Sequence, residues 1–569
     1  MNILEYLMRN KKSEKVKKER IFLFVYIVLL IFSVIFLEIL LRLVGFGIDT
    51  KPFHKVKING VNYYRDNTSF INKYYPSSSK QIKTEEKNLF PVKKTPGKIR
   101  GFVVGGSTAQ GYPYTSNQSF SAMLQRALVD GNMEKSAEVI NMGYSAMSSY
   151  YVADVAKKIL KYEPDFLLIY AGHNEYYGTI SAMSGQSHYG RKKYLAFKEF
   201  RLFQLFDRLL HFKSVSNGGR TLMDRQFAGA AFLQNEEKDR DVAKNFISNI
   251  NEIVKLYGKK NIPVLIFEPV SNLFDMPPFS GKDDEKYKSL IKRSLVTLES
   301  GDENEIKICR EQGKKYQDNA NFAYLEAVYQ TRDGEDSYLQ LIKAKDADCI
   351  PFRTRSQLIM ELEAYCKKSN NRNLFYIPTS ALMKNNQILP DNSFFADHLH
   401  FSIKGNRWIA LQAAGVLQNI FSLESDKMFD IFVMDNDDFY KQFPLSEFDR
   451  YRVASSILSL VENEPFASML IPYYPDFPVG NENVVTSDSG LYRIIRDCKQ
   501  EDFYLNACAY LLQCGKYIRA RDVAQSFVKC FPANAKAHDF LSQSLMFLGA
   551  EKEAEEERKI AKCLSGKLY

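Results

Sequence analysis

None of the eight cysteines sits in a C-x-x-C pair, and the 569 residues hold only seven histidines. The missing cysteine pairs remove the usual mark of a structural zinc site. Few histidines, and no acid beside His398 and His400 except Asp397, argue against a catalytic metal held by those imidazoles. Cys309, Cys349, Cys366, Cys498, Cys508, Cys514, Cys530 and Cys563 all fall in helix-like segments. Disulfides in an oxidising compartment and buried free thiols both stay open there. A strong charge excess is lacking too. Lys+Arg 77 against Asp+Glu 67 leaves +10, and residues 1–20 alone supply +4, from seven basic and three acidic side chains. The remaining +6 is spread over the rest of the chain and leaves no footprint for nucleic acid. With 45% apolar and 25% charged residues the chain is neither wholly disordered nor a multi-span membrane protein. Its length allows about three or four domains.

One long apolar run stands near the start. No residue from Ile21 to Leu37 is charged, and apolar side chains resume around Glu38 and Arg42 as far as Val44. As a helix this stretch spans a hydrocarbon core of about 30 Å. The basic segment Arg9 to Arg20 precedes it, so the positive-inside bias keeps residues 1–20 in the cytoplasm and sends everything after Gly45 across. The run is longer than a secretory signal and ends without an A-x-A-like site, which favours an uncleaved anchor at 21–45. Glu38 and Arg42, at i and i+4, can pair on one helical face.

Residues 46–96, polar and rich in Lys and Tyr, read as a linker. Five short apolar runs follow: Ile99 to Val104, Glu138 to Asn141, Phe166 to Tyr170, Val264 to Phe267 and Leu374 to Ile377. Helical patterns separate them, which predicts βαβ units. The expected fold is a flavodoxin-like three-layer α/β/α sandwich with a parallel five-stranded sheet, carried by 97–282 and 368–420. Residues 180–245 hold amphipathic patterns such as Phe197 to Phe212 that could cover one end of the sheet, and the Lys/Arg and aromatic mixture from Arg191 to Phe212 reads as a solvated amphipathic helix rather than a track for an anionic polymer. Residues 283–367 read as a helical insertion with one helix-turn-helix hairpin, and 421–500 as a helical connector. In 501–569, Tyr504, Ala507, Gly515, Tyr517, Ala520 and Pro532 take the positions of a tetratricopeptide unit. The turn glycine and the small residue recur 34 residues on, at Gly549 and Ala554, which predicts two repeats. Such repeats need packing neighbours, and 446–464 is the candidate.

The chemistry lies at strand ends, where open α/β sheets bind ligands. The first strand ends in Gly105-Gly106-Ser107-Thr108, which puts Ser107 where a nucleophile belongs. The second ends in Asn141-Met142-Gly143 and the third in Ala171-Gly172-His173-Asn174-Glu175. A serine needs a general base and donors for the oxyanion. The Ser107 and Gly143 N–H groups and the Asn174 amide are the candidate donors. Asp397-His398-Leu399-His400 follows the last strand, with His400 as base and Asp397 fixing its tautomer. His173, Glu175 and Gly106 are candidate substrate-lining positions, and no cofactor is required.

These four blocks resemble the SGNH, or GDSL-type, hydrolase superfamily: Gly106-Ser107, Asn141 to Gly143, Gly172 to Asn174 and Asp397 to His400. The match covers 98–285 and 368–417. Two positions depart from the family pattern, Gly106 where Asp is usual and Glu175 where Asp is usual. The longer strings and the attached repeats resemble a bacterial membrane-anchored branch. The resemblance implies a serine esterase in a cell-envelope setting and leaves its substrate open, O-acyl groups on envelope glycan or lipid being one candidate; the apolar run and its basic flank make the chain single-pass in the bacterial cytoplasmic membrane with its bulk outside. An O-acyltransferase with the same triad is the close alternative, and a non-catalytic scaffold whose repeats grip a protein partner is the other.

Overall fold

The computed structural model describes residues 3–75, 86–130, 137–182, 186–210, 223, 232–424, 428–475 and 500–565. Cys498 lies outside the described residues. The chain divides into two compact units, one of residues 1–50, 69–82 and 189–216, the other of the rest.

The first unit is built on a single helix, Ile3–Leu43. At 1.5 Å per residue its 41 residues extend about 60 Å. Apolar side chains from Ile21 to Leu37 are exposed along it. Arg42 Nε donates to Glu38 Oε1 at 2.7 Å, the i, i+4 pair expected. Glu38 does more: its two oxygens accept the backbone N–H groups of Arg201 and Leu202 at 3.0 and 2.9 Å, at the start of the helix Arg201–Leu210. Lys73 pairs with Glu199, and Lys198 Nζ donates to the Tyr75 carbonyl at 2.9 Å.

The second unit begins with structure where the sequence reads as linker. β1 (Phe53–Ile58) and β2 (Val61–Asp66) form an antiparallel hairpin, and β3 (Leu89–Pro91) extends it. Its turn is Asn59-Gly60, both at positive φ, a two-residue hairpin signal hidden in a Lys- and Tyr-rich stretch.

All five strands expected from the apolar runs are present: β4 (Ile99–Gly105), β5 (Ala137–Gly143), β6 (Phe166–Tyr170), β7 (Val264–Phe267) and β8 (Leu374–Ile377). They pair in parallel in the order β5-β4-β6-β7-β8, the flavodoxin-like order with its switch beside β4. Side chains alternate between faces. Val103, Leu168 and Leu265 meet Phe120, Leu124, Ala410 and Leu417 of helices Phe120–Asp130 and Ile403–Phe421 in one core. Helices Ser149–Ile159, Glu236–Gly258 and Ser356–Lys368 pack side by side over the other face. Arg100 is fully buried in β4, held by Glu138 of β5 at 2.8 Å and by the Tyr162 and Pro91 carbonyls.

The insertion differs from the single hairpin expected. It contains four helices, Asp284–Ser300, Glu303–Gly313, Ala320–Arg332 and Tyr338–Ala347, while Ser356–Lys368 is the crossover helix into β8. Towards the C-terminus, helices Gln500–Gln513, Tyr517–Cys530, Ala535–Phe547 and Glu551–Leu564 turn at Gly515 and Gly549, both at positive φ. Phe448, from the preceding helix Glu447–Val461, packs in one cluster with Phe503, Tyr504 and Phe527. The Tyr504 hydroxyl donates to Asp449 of the same helix. The seven described cysteines are free thiols.

Candidate active site

β4 ends where no side chain fits. A Cβ on Gly105 would stand 2.0 Å from the Tyr170 carbonyl oxygen, and one on Gly106 2.5 Å from Asn174 Nδ2. Gly106 is therefore a packing position that lets the Asn174 amide lie against the turn, rather than a substrate-lining one. Ser107 opens the one-turn helix Ser107–Gln110. Groups in a first helical turn have no intrahelical acceptor, which leaves the Ser107 N–H available.

Across the chain, Asp397 to His400 form a tight turn. Asp397 Oδ1 accepts the N–H groups of Leu399 and His400, each at 2.9 Å. The His400 carbonyl accepts Ala396 N–H at 2.7 Å. The loop after β7 holds this turn: Asn272 N–H donates to the His398 carbonyl at 3.0 Å. His400 Nδ1 stands 2.6 Å from Asp397 Oδ2, and His400 Nε2 stands 2.6 Å from Ser107 Oγ. With a carboxylate at Nδ1, that nitrogen carries the proton, and the Nε2 lone pair faces the hydroxyl. The hydroxyl and imidazole lie 293 residues apart in sequence.

Burial alone would raise the carboxyl pKa of Asp397. The imidazoles of His400 and His398 and their hydrogen bonds outweigh it and hold the group well below the usual carboxylate range. His398 is lowered, by burial first. His173 is pushed down to about 3 by burial and by the neighbouring His398 and His400. Its Nδ1 pairs with Thr354 Oγ1 at 2.9 Å, and its Nε2 has no partner among the described residues. His173 is thus a buried neutral imidazole, not a cleft-lining one.

Glu175 is not cleft-lining either. Its carboxylate accepts Ser149 N–H at 2.7 Å and Ser149 Oγ–H at 2.8 Å, which caps helix Ser149–Ile159. Gly143 also departs from expectation. Its N–H is spent on Asn141 Oδ1 at 2.8 Å, and a Cβ there would meet Gln110 N at 2.4 Å, so this glycine serves close packing. Three residues on, Ala146 takes φ +64, a left-handed conformation rare for alanine. Its carbonyl accepts Thr179 N–H, and its own N–H donates to nothing among the described residues. The next carbonyl, Met147, accepts one Asn174 Nδ2 proton at 3.1 Å, leaving the other free to point elsewhere. Sequence reading passed over Ala146, because no residue type marks it, and over Tyr112, whose ring lies edge-on to His400 with centroids 4.6 Å apart.

Ligand atoms of Asp397, His398 and His400 lie within 4.8 Å of one another, a spacing a cation could use. Both His400 nitrogens and both Asp397 oxygens are already engaged, so an ion there would have to displace one of these hydrogen bonds.

No protein-family model and no curated protein matches the chain. Among solved structures it is similar to a lipolytic protein of the G-D-S-L family from Veillonella parvula, 10% identical with a TM-score of 0.26, covering 56% of this chain and 98% of that one. It is similar also to the acetyl xylan esterase AlAXEase, at 12% identity and a TM-score of 0.26, covering 56% and 100%. A lipase/acylhydrolase from Enterococcus faecalis is 13% identical with a TM-score of 0.25, covering 57% and 98%. The first bears the name of the family that the four sequence blocks resemble.

Proposed function

We propose that the chain is a membrane-anchored, extracytoplasmic serine hydrolase of the SGNH type that cleaves an ester. The observation that carries this reading is the unbroken relay from Ser107 Oγ to His400 Nε2 to Asp397, 2.6 Å at each step. Ser107 Oγ attacks the acyl carbonyl while His400 Nε2 takes its proton, and the Asp397 carboxylate stabilises the imidazolium that forms. The tetrahedral oxyanion would be met by the Ser107 N–H and the second Asn174 Nδ2 proton, and the Ala146 N–H is the candidate for the role expected of Gly143. His400 then gives its proton to the leaving alcohol. Water, activated by the same imidazole, releases the acid and restores Ser107. A hydroxyl of another molecule would enter by the same path, so O-acyl transfer uses the same residues. O-acyl groups on envelope glycan or lipid are the proposed substrates, reached from an anchor at Ile21–Leu37.

In the test, Ser107→Ala keeps the far-ultraviolet circular dichroism of the parent and loses turnover of 4-nitrophenyl acetate by at least about 10³-fold. The parent, not the variant, is labelled by a fluorophosphonate. A parent chain that neither turns over the ester nor takes the label would leave the scaffold reading standing instead.

A further inference from the structure

The helix Arg201–Leu210 is turned inside out. Its polar Gln204 and Asp207 are buried, whereas Phe206, Leu209 and Leu210 are 56%, 62% and 81% exposed. The burial is specific. Gln204 accepts Ile48 N–H at 2.7 Å and donates to the Lys198 carbonyl at 2.8 Å. Asp207 accepts the Tyr194 hydroxyl at 2.9 Å and stands 3.6 Å from Lys198 Nζ. Just before the helix, Phe197 and Phe200 are half exposed. Residues 206, 209 and 210 share one helical face by their i, i+3, i+4 spacing, and 204 and 207 share the opposite one. Water favours the reverse arrangement, with the apolar stripe inward. A helix whose polar face is satisfied by its own unit and whose apolar face looks outward is arranged for a lipid surround.

The position of this helix along the chain's long helix says which lipid. Glu38 is the first charged residue after the apolar stretch Ile21–Leu37, and its carboxylate caps the Arg201 and Leu202 N–H groups. Arg42, one turn further, donates to the Glu199 carbonyl at 2.9 Å. The start of the short helix is therefore fixed at the level where the apolar span ends. Exposed Lys193 and Arg208 on the same segment suit the anionic headgroups found at that level.

We propose that the helix Arg201–Leu210, with Phe197 and Phe200, lies in the lipid–water interface of the bilayer that Ile21–Leu37 crosses, its Phe206, Leu209 and Leu210 face immersed at the acyl boundary. This rests on the anchor reading above and extends it: the chain grips its membrane twice, once across and once along the surface, with the Glu38 carboxylate as the joint.

The experiment uses the full chain in vesicles of phosphatidylcholine and phosphatidylglycerol. Emission from Trp408, its one tryptophan, is subtracted. Leu209→Trp reports on the short helix and Leu30→Trp on the span, each quenched by lipids spin-labelled at shallow or deep positions. The expected result is that the shallow label quenches Leu209→Trp at least about twofold more than the deep one, with the reverse order for Leu30→Trp. A Leu209→Trp reporter that no lipid quenches, beside a Leu30→Trp reporter that the deep label does quench, overturns the proposal and spares the anchor. Failure of both reporters overturns the anchor and the proposal together.

Discussion

Burial holds His173 and His398, beside the Ser107–His400–Asp397 relay, towards the neutral form. His173, pushed down to about 3, stays neutral in the folded chain, whereas an unfolded imidazole titrates near 6.5. Below that pH the unfolded chain takes up a proton that the folded one refuses. The stability tied to His173 is therefore complete above pH 6.5 and drains away as pH falls towards 3. Between pH 7 and pH 5 one such imidazole costs about 2 kcal/mol. His173→Asn can keep a polar partner for Thr354 and cannot titrate, so its unfolding free energy should fall less over that interval by about that amount. Urea denaturation at the two pH values checks it, and equal losses in parent and variant would contradict it. Ala146 makes a second case. Its φ of +64 strains a Cβ, so Ala146→Gly should raise stability by about 1 kcal/mol and leave the proposed esterase activity in place. A drop in unfolding free energy would show that the alanine methyl is packed to advantage. The two residues also mark what sequence can tell about a site. Ser107, Asp397 and His400 were legible because their chemistry and their places after strands coincide. A glycine kept for close packing, such as Gly143, looks the same in sequence as one kept for its N–H, and a left-handed alanine carries no sign at all.

At the scale of elements, the sheet depends on glycines that admit neighbours. A Cβ on Gly101 would lie 1.9 Å from Phe166 Cζ, the ring standing opposite it in the β4–β6 register. Gly101→Ala must displace that ring within a packed core, at a cost of about 1–3 kcal/mol. Adding Phe166→Leu should recover part of the loss, and a double-mutant cycle from urea melts measures the coupling. Full additivity would mean that the ring is not the obstacle. The strands themselves were legible because parallel strands covered on both faces read as unbroken apolar runs. The insertion was less so. Its first pair of helices, Asp284–Ser300 and Glu303–Gly313, carries so many charged side chains that the apolar stripe thins to a few positions such as Ile291 and Ile306. What stops and restarts the chain there is Gly301 at positive φ and Asp302, whose side chain accepts the N–H groups of Asn304 and Glu305. The hairpin of β1 and β2 escaped for a different reason: Lys55 and Lys57 flank Val56 in β1 and Tyr63-Tyr64 break the alternation in β2, so no clean apolar period shows and only Asn59-Gly60 marked the turn.

For the molecule as a whole, the proposed anchor would decide where the proposed chemistry happens. Ile21–Leu37 offers 17 uncharged residues, about 25 Å of helix, and the basic run up to Arg20 can snorkel at one end while Glu38 and Arg42 lie at the other. None of the apolar window within Lys17–Leu43 is buried by the rest of the chain. A surface of that size left in water would drive aggregation, so a bilayer is the partner its composition asks for. The chain should remain in the membrane pellet through an alkaline carbonate wash. The double variant Leu29→Arg, Leu30→Arg should be lost from it, since each arginine at mid-span costs about 2.5–3.5 kcal/mol on insertion. Protease added outside intact spheroplasts should digest the parent chain down to a short fragment holding the helix, because the basic segment before Ile21 keeps its own side of the membrane. A parent chain that washes off with carbonate, or that external protease leaves whole, would contradict the anchor or its orientation respectively. If both results hold, Ser107 acts on a tether, and its working concentration of substrate is set by what lies within reach of the membrane surface rather than by bulk solution.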